Sequence, residues 1–290
     1  MTVMRVNWRD VSVSITGVDR GMADELAACL ALAAPDEIPG GQCDICVDWS
    51  DGEASVQFGE RHYAVSSTED LFLLLNTLVP ARLIEMVGVG RRMHTAGVRV
   101  GNGLLLLSGE GRIGKSSLML EAWRNGLEVL GDDWLLFSND FAGMSPVPKP
   151  LKPRMTAAQF MEFGRPARFG TLFGETRLLI GRGQGFYNVW DQPVPIGALV
   201  FIERSDDAEP KLERIAVVDA LPLLLSQTIL CSKSQTLAGI AFAKALAARD
   251  VPIFRLCRGK GGPSATFAAL IAEMRPWFQA SRIIPLSSNS

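Results

Sequence analysis

The chain has 290 residues, of which 48% are hydrophobic and 21% are charged, with a formal net charge of -2. This composition excludes an intrinsically disordered chain, because apolar residues are frequent enough to build a sizeable core. The near-neutral charge gives no general attraction to nucleic acid or to an anionic membrane surface, and we expect neither as a partner.

Residues 1–90 predict a small α+β domain. Short runs of alternating apolar and polar residues are typical of half-buried strands, and a helix is predicted between them. Either Ser66 or Ser67 is placed to cap a second helix through 71–87, in which Pro80 predicts a kink or a break. Docking of a substrate or partner is one hypothesis for this domain.

Residues 91–290 predict an α/β domain, in which strands and helices alternate. Apolar runs at 95–100 and 104–108 flank Gly101-Asn102-Gly103, and an Asn-Gly turn between such runs is a strong hairpin signal. The second strand leads through a glycine-rich loop into a helix that ends at Asn125-Gly126. Later strands are predicted at 198–202 and 252–256, and later helices at 220–230, 235–248 and 264–280.

The glycine-rich loop carries the strongest functional signal. Its sequence fits G-x-x-x-x-G-K-[ST] at every position, after an apolar strand and before a helix. Glycines let successive amides point inward at phosphate oxygens, and the helix adds its positive end. The lysine would reach the β- and γ-phosphates, and the serine would ligate Mg²⁺. The predicted nucleotide-binding residues are Gly109, Glu110, Gly111, Arg112, Ile113, Gly114, Lys115, Ser116 and Ser117.

Two adjacent carboxylates, Asp132 and Asp133, follow the next predicted strand. Open α/β sheets bind ligands at the carboxyl ends of their strands, so these side chains are placed to meet the phosphates. One carboxylate could hold Mg²⁺, and the other could accept the proton of an attacking hydroxyl. The sequence therefore predicts phosphoryl transfer from a nucleoside triphosphate to a hydroxyl group.

The order of these features resembles a known family. A histidine on the strand entering the hairpin, the phosphate loop and an Asp-Asp after the next strand are similar to the catalytic core of bacterial HPr serine kinase/phosphorylase. The Pro-rich stretch 146–151 is more like the smaller HPr-kinase-related proteins, including lasso-peptide tailoring kinases. The resemblance covers residues 90–155, with a second, shorter match at 182–189.

This resemblance implies a P-loop kinase domain of the HPr kinase C-terminal type, related to phosphoenolpyruvate carboxykinase, with ATP and Mg²⁺ as cofactors. By position, His94 would assist the active site, while Lys115 and Ser116 would bind phosphates and metal. Asp132 or Asp133 would be the base, with Asp132 favoured and Asp133 linked to the metal. The acceptor could be a protein serine, a peptide or a small molecule, and a homo-oligomer follows only by analogy.

Two segments depart from the family pattern. The family loop usually reads G-x-S-G-x-G-K-S, whereas Gly111 and Arg112 stand at the S-G positions here. The acidic residue expected ahead of Arg182-Gly183 is absent, which questions a second metal contact and the reverse phosphorylase reaction. Two rivals stay open: a non-catalytic ATP-binding regulatory or partner-binding module, and a nucleotide hydrolase that uses water as acceptor.

Basic residues elsewhere give weaker signals. Arg91-Arg92 and Arg255-x-x-Arg258-Gly259-Lys260 could contact phosphates or an anionic acceptor, but solvated turns are the preferred interpretation. The Pro-rich loop with Lys149, Lys152 and Arg154 could shape the acceptor site.

The cysteine pattern bears on compartment. Five cysteines are scattered along the chain, which is not typical of a disulfide framework. Cys43-x-x-Cys46 has zinc-like spacing but no second pair, and side chains three apart in a strand point to opposite faces. Charged residues interrupt the first apolar stretch, so no signal peptide is indicated. We therefore expect a cytoplasmic protein.

Overall fold

The computed structural model describes residues 2–50, 52–87, 92–154, 168–172, 175–183, 185–205, 209–227, 233–260 and 262–280. The chain forms two compact units, one of residues 1–89 and 148–184 and the other of residues 90–147 and 185–290. The sequence-based division places all of 91–290 in the second domain, so the two divisions differ in segment 148–184.

The elements are numbered along the chain. Those of the first half are β1 (Thr2–Trp8), β2 (Val11–Thr16), α1 (Arg20–Leu30), β3 (Asp36–Pro39), β4 (Ile45–Ser50), β5 (Glu53–Phe58), β6 (Arg61–Val65), α2 (Thr68–Val87), β7 (Arg92–His94), β8 (Ala96–Val100), β9 (Gly103–Ser108), α3 (Lys115–Arg124), β10 (Val129–Gly131), β11 (Trp134–Phe137) and β12 (Gly143–Ser145). Those of the second half are β13 (Arg168–Leu172), β14 (Glu175–Leu179), β15 (Val194–Arg204), β16 (Lys211–Ile215), α4 (Val217–Gln227), α5 (Lys233–Ala248), β17 (Ile253–Arg258) and α6 (Gly262–Ala280).

The first unit is built on a mixed six-stranded sheet in the order β3-β1-β2-β4-β5-β6. Helix α2 begins as the sequence predicts, since the hydroxyl of Ser67 accepts a hydrogen bond from the amide of Asp70 at 3.1 Å. Pro80 lies inside one continuous helix, so of the two predicted alternatives, a kink or a break, the break is wrong. The helix buries most of its own leucines, and their packing offsets the hydrogen bond that proline removes.

Segment 148–184 joins the first unit through buried contacts. The ammonium of Lys152 donates to the carbonyl of Asn76 at 3.0 Å, and Lys152 is itself buried. Arg182 is also buried in this unit, where its amide donates to the carbonyl of Cys29 at 2.7 Å. Long-range contacts of this kind leave no local pattern in a sequence, which explains why the sequence-based boundary does not include them.

A disulfide bond joins Cys43 and Cys46 in the first unit. The sequence does not predict this bond, because the interpretation places both cysteines in one strand. Strand β4 begins only at Ile45, so Cys43 precedes it and its side chain turns toward Cys46.

The second unit is built on a mixed nine-stranded sheet. Strands β8 and β9 form the predicted antiparallel hairpin, which is therefore confirmed. Strand β15 pairs in parallel with β9 on one side and with β17 on the other. With helices beside these strands, the fold is mixed α/β. Among the described residues, no helix is long and apolar enough to cross a membrane.

The core of the second unit packs against its parallel strands. Leu104 and Leu106 of β9, Phe201 of β15 and Phe242 of α5 are buried in one apolar cluster. Since β9, β15 and β17 run parallel, their carboxyl ends meet at one edge of the sheet, which is where ligands of such sheets bind.

Candidate functional site

The glycine-rich loop joins the carboxyl end of β9 to the start of α3, in the strand, loop and helix order that the sequence predicts. Gly109 and Gly114 have φ values of 148° and 108°, which side-chain-bearing residues rarely adopt. A Cβ on Gly109 would lie 2.8 Å from the carbonyl oxygen of Ile202, and one on Gly114 would lie 2.2 Å from Nη1 of Arg258. Both positions therefore require glycine.

Lys115 folds back over this loop. Its Nζ donates hydrogen bonds to the carbonyl oxygens of Gly109 at 2.7 Å and Glu110 at 3.0 Å, and only 6% of the residue is exposed. Burial lowers the pKa of Lys115, while the negative charges of Asp133 and Asp132 act in the opposite direction. The two carboxylates therefore lie close enough to the loop to interact with its lysine.

Asp132 and Asp133 occupy the connection between β10 and β11. Strand β11 also pairs with β7, which places His94 opposite Trp134. As a result, Nε2 of His94 donates to Oδ1 of Asp133 at 2.8 Å. The side chains of His94 and Asp133 are 29% and 31% exposed, whereas Asp132 is only 7% exposed. The predicted residues are thus brought together as a His–Asp pair beside a buried carboxylate.

Ser116 and Ser117 are half-buried in the first turn of α3. Within the described ranges, no group of three or more His, Cys, Asp or Glu side chains is arranged to hold a metal ion. Mg²⁺ sites in nucleotide enzymes often use only one or two protein oxygens and take the rest from phosphates and water. One serine hydroxyl and one carboxylate fit that donor set.

Two arginines contact the loop: Arg204, which the sequence does not single out, and Arg258, for which the sequence prefers a solvated turn to a phosphate contact. Nη1 of Arg258 donates to the carbonyl of Ile113 at 3.0 Å, and Nη2 of Arg204 donates to the carbonyl of Arg112 at 3.3 Å. They stand at the carboxyl ends of β17 and β15. A basic residue shortly after a predicted strand is the signal that could have found Arg204, whereas Arg258 belongs to a basic run that the sequence already offers as a possible phosphate contact.

Three other basic residues singled out in the sequence make their contacts outside the loop. The guanidinium of Arg255 pairs with Glu203 at 3.3 Å, and that of Arg92 stacks 4.6 Å above the ring of Trp134. Arg154 pairs with Glu175 at 2.8 Å in the first unit. Arg91 falls outside the described residues.

Two cavities adjoin the loop within the second unit. One, of about 460 Å³, has Arg112, Arg204, Arg258 and Lys260 among its lining residues. The other, of about 500 Å³, lies against Gly109–Ile113 and has apolar walls that include Phe201 and Leu223. The loop thus borders one cationic and one largely apolar space.

Comparison with known proteins gives weak similarity in structure and none in sequence. No protein-family model matches the chain, and no curated protein matches it. A solved structure, that of the Hpr(Ser) kinase/phosphatase from Coxiella burnetii, is 10% identical, with a TM-score of 0.34, over 65% of this chain and 99% of that chain. A similarity of this degree does not support any particular activity.

Proposed function

We propose that this protein is an ATP-dependent phosphotransferase that transfers the γ-phosphoryl group to a hydroxyl group. One arrangement carries the proposal: Lys115 lies buried in the loop after β9, and Asp132 and Asp133 follow β10, whose carboxyl end lies at the same edge of the sheet. A cation for the phosphates and a carboxylate for the acceptor are the two groups that phosphoryl transfer needs at close range.

The loop binds the triphosphate tail. Its amides and the amino end of α3 supply donors to the phosphate oxygens. Lys115 exchanges its hydrogen bonds with the carbonyls of Gly109 and Glu110 for bonds to the β- and γ-phosphates. Because Lys115 is already held in the loop, little side-chain entropy is lost when the nucleotide arrives.

Asp133 is the base in this proposal. Its charge is the larger of the two carboxylate effects on Lys115, its side chain is 31% exposed, and His94 holds one of its oxygens. Asp132 is nearly buried and less open to an acceptor. This assignment reverses the preference for Asp132 drawn from the sequence. Two adjacent aspartates look alike in a sequence, which shows neither their exposure nor the contact with His94.

The transfer step forms one bond to phosphorus, breaks another and moves one proton. The acceptor oxygen bonds to the γ-phosphorus as the bond from that phosphorus to the β,γ-bridging oxygen breaks. The hydroxyl proton passes to the carboxylate of Asp133, and ADP carries away the electron pair of the broken bond. Mg²⁺, held by Ser116 and Asp132, would neutralise phosphate charge when bound.

The first test separates binding from transfer. Wild type and Lys115→Met are heated with and without MgATP, and we expect stabilisation of the wild type only, by an amount that follows the ATP concentration. Equal stabilisation of both proteins would show that the loop does not bind the nucleotide. Lys244→Gln, at an exposed residue of α5, is the matched control.

The second test asks whether phosphate is transferred. Wild type and Asp133→Asn are incubated with γ-labelled ATP and a soluble extract, and acid-stable label is followed in protein, peptide and small-molecule fractions. Label that depends on wild type identifies the acceptor class. Binding without label or ADP would support the non-catalytic module, and ADP without any labelled acceptor would support the hydrolase.

A further inference from the structure

We infer that the cavity of about 460 Å³ at the carboxyl ends of β15 and β17 is a second anion site, which binds a phosphate group other than the β- and γ-phosphates. This inference rests on the proposed function, since that function gives those two phosphates to the loop. The ligand class is a phosphate ester, recognised by charge and by multiple N–H donors.

The lining of the cavity is strongly cationic. Arg112, Arg204, Arg258 and Lys260 are among its lining residues, and no carboxylate occurs among the described ones. Residues 206–208 and 261, which adjoin lining residues along the chain, lie outside the described ranges. Arginine and lysine offer donors and no acceptors, so this lining matches phosphate oxygens.

Two of the cations are held in place by the loop itself. Arg258 and Arg204 each donate to a loop carbonyl, that of Ile113 at 3.0 Å and that of Arg112 at 3.3 Å. Each bond uses one of the five N–H donors of a guanidinium, and the remaining donors can serve a ligand. Fixing the arginines in advance lowers the entropic cost of binding. It also links occupancy of the cavity to the shape of the loop.

Arg112 gives a second, independent observation. Its φ is 66°, in the left-handed region that disfavours residues with side chains. Glycine would adopt this backbone without strain, so the position retains a guanidinium despite a conformational cost. Residues held in such conformations concentrate at ligand-binding sites, and this one lines the cavity.

The neighbouring cavity explains why the ligand here is a phosphate and not a nucleoside ring. That cavity shares Arg112 and Arg204 with the cationic one, but it also has apolar walls, including Phe201 and Leu223, which suit a planar ring. The phosphate in the cationic cavity has two sources: the α-phosphate of the nucleotide, or a separate phosphorylated molecule such as an acceptor.

The test uses inorganic pyrophosphate and titration calorimetry on full-length variants. In Lys115→Met, where the loop site is weakened, we expect residual pyrophosphate binding. Adding Arg204→Gln and Lys260→Gln should lower that affinity about 100-fold, at about tenfold per charge-assisted contact. Adding Lys244→Gln, at an exposed lysine of α5, should leave it unchanged. The inference is overturned if Lys115→Met binds no pyrophosphate, or if the paired substitution changes its affinity less than twofold.

Arg112→Gly tests whether a loss of affinity arises from the missing guanidinium or from misfolding. Glycine relieves the left-handed strain, so folding stability should hold or rise while pyrophosphate affinity falls about tenfold. Unchanged affinity would exclude Arg112 and contradict the strain argument.

A final titration distinguishes the two sources. Pyrophosphate that still binds wild type saturated with a non-hydrolysable MgATP analogue indicates a separate phosphorylated ligand, whereas displacement indicates the α-phosphate. Failure of the proposed function would look different: wild type would bind no ATP, while pyrophosphate binding would still depend on Arg204 and Lys260.

Discussion

The two flanks of the glycine-rich loop carry opposite charge. In the sheet order β10-β8-β9-β15, the carboxylates follow β10 on one side of β9, and the cations close β15 and β17 on the other. We call the first the carboxylate flank (His94, Asp132, Asp133) and the second the cation flank (Arg112, Arg204, Arg258, Lys260). On the carboxylate flank, the side chain of His94 holds Asp133, whereas on the cation flank two arginines are held by carbonyls of the loop.

This difference separates chemistry from binding. Carboxylates gain and lose protons readily, so the carboxylate flank can take part in bond making. Arginine stays protonated, so the cation flank can only attract and orient an anion. Substitutions on the carboxylate flank should therefore change the rate of transfer, and substitutions on the cation flank should change affinity or loop stability.

The largest effect is expected at Asp133. Asp133→Asn removes the proton acceptor while keeping shape, and we expect the rate of phosphoryl release from MgATP to fall by about 10² to 10⁴-fold. Nucleotide affinity, measured by calorimetry, should change little. Asp250→Asn is the control, since that side chain is 96% exposed. A rate loss confined to Asp132→Asn would restore the sequence-based choice of base.

Gly114 tests whether the cation flank shapes the loop. Gly114→Ala forces a side chain onto a φ of 108° and pushes Arg258 off the carbonyl of Ile113, so we expect a loss of about 1–3 kcal/mol in unfolding free energy. Gly111→Ala is the matched control, because a Cβ there meets nothing within 4 Å. Equal urea midpoints for the two variants would show that the loop tolerates this displacement.

His94 should have a smaller effect, because it acts through Asp133. His94→Ala removes the His94 hydrogen bond to the carboxylate of Asp133, and we expect the turnover rate to fall about tenfold with little change in KM. His94→Gln, which keeps an N–H donor, should restore part of the rate. The chain offers one other histidine as control, His62, which is exposed on β6. A structural role alone would lower stability without any rescue of turnover by Gln.

Sequence reasoning finds the local part of this site and misses the part that depends on strand pairing. The loop and the Asp-Asp step are contiguous, so residue spacing was enough to predict them. Arg204 and Arg258 reach the loop only because β15 pairs with β9 and β17 pairs with β15. No short sequence pattern predicts how those strands pair, and a basic residue near a glycine more often lies in a solvated turn.

Arg112 shows the opposite case, in which a departure from a pattern carries information. The resemblance leads one to expect glycine there, and the φ of 66° explains why glycine fits. Its guanidinium could bind a phosphate or lie in solvent, and its place in the wall of the cationic cavity favours phosphate binding.

The smallest expected effect concerns Lys115, which stands between the flanks. Burial lowers its pKa below the usual 10.5, so the unfolded chain binds the proton more tightly than the folded one between the lowered pKa and 10.5. Stability should therefore rise with pH through that window and be lost as pH falls through the lowered pKa.

Lys115→Met lacks this contribution. The difference in unfolding free energy between wild type and Lys115→Met, measured by urea titration at several alkaline pH values, should thus move in favour of the wild type. Bound MgATP should reverse the slope, because phosphates favour the charged ammonium. A pH-independent difference in both states would mean that Lys115 is not desolvated in the loop.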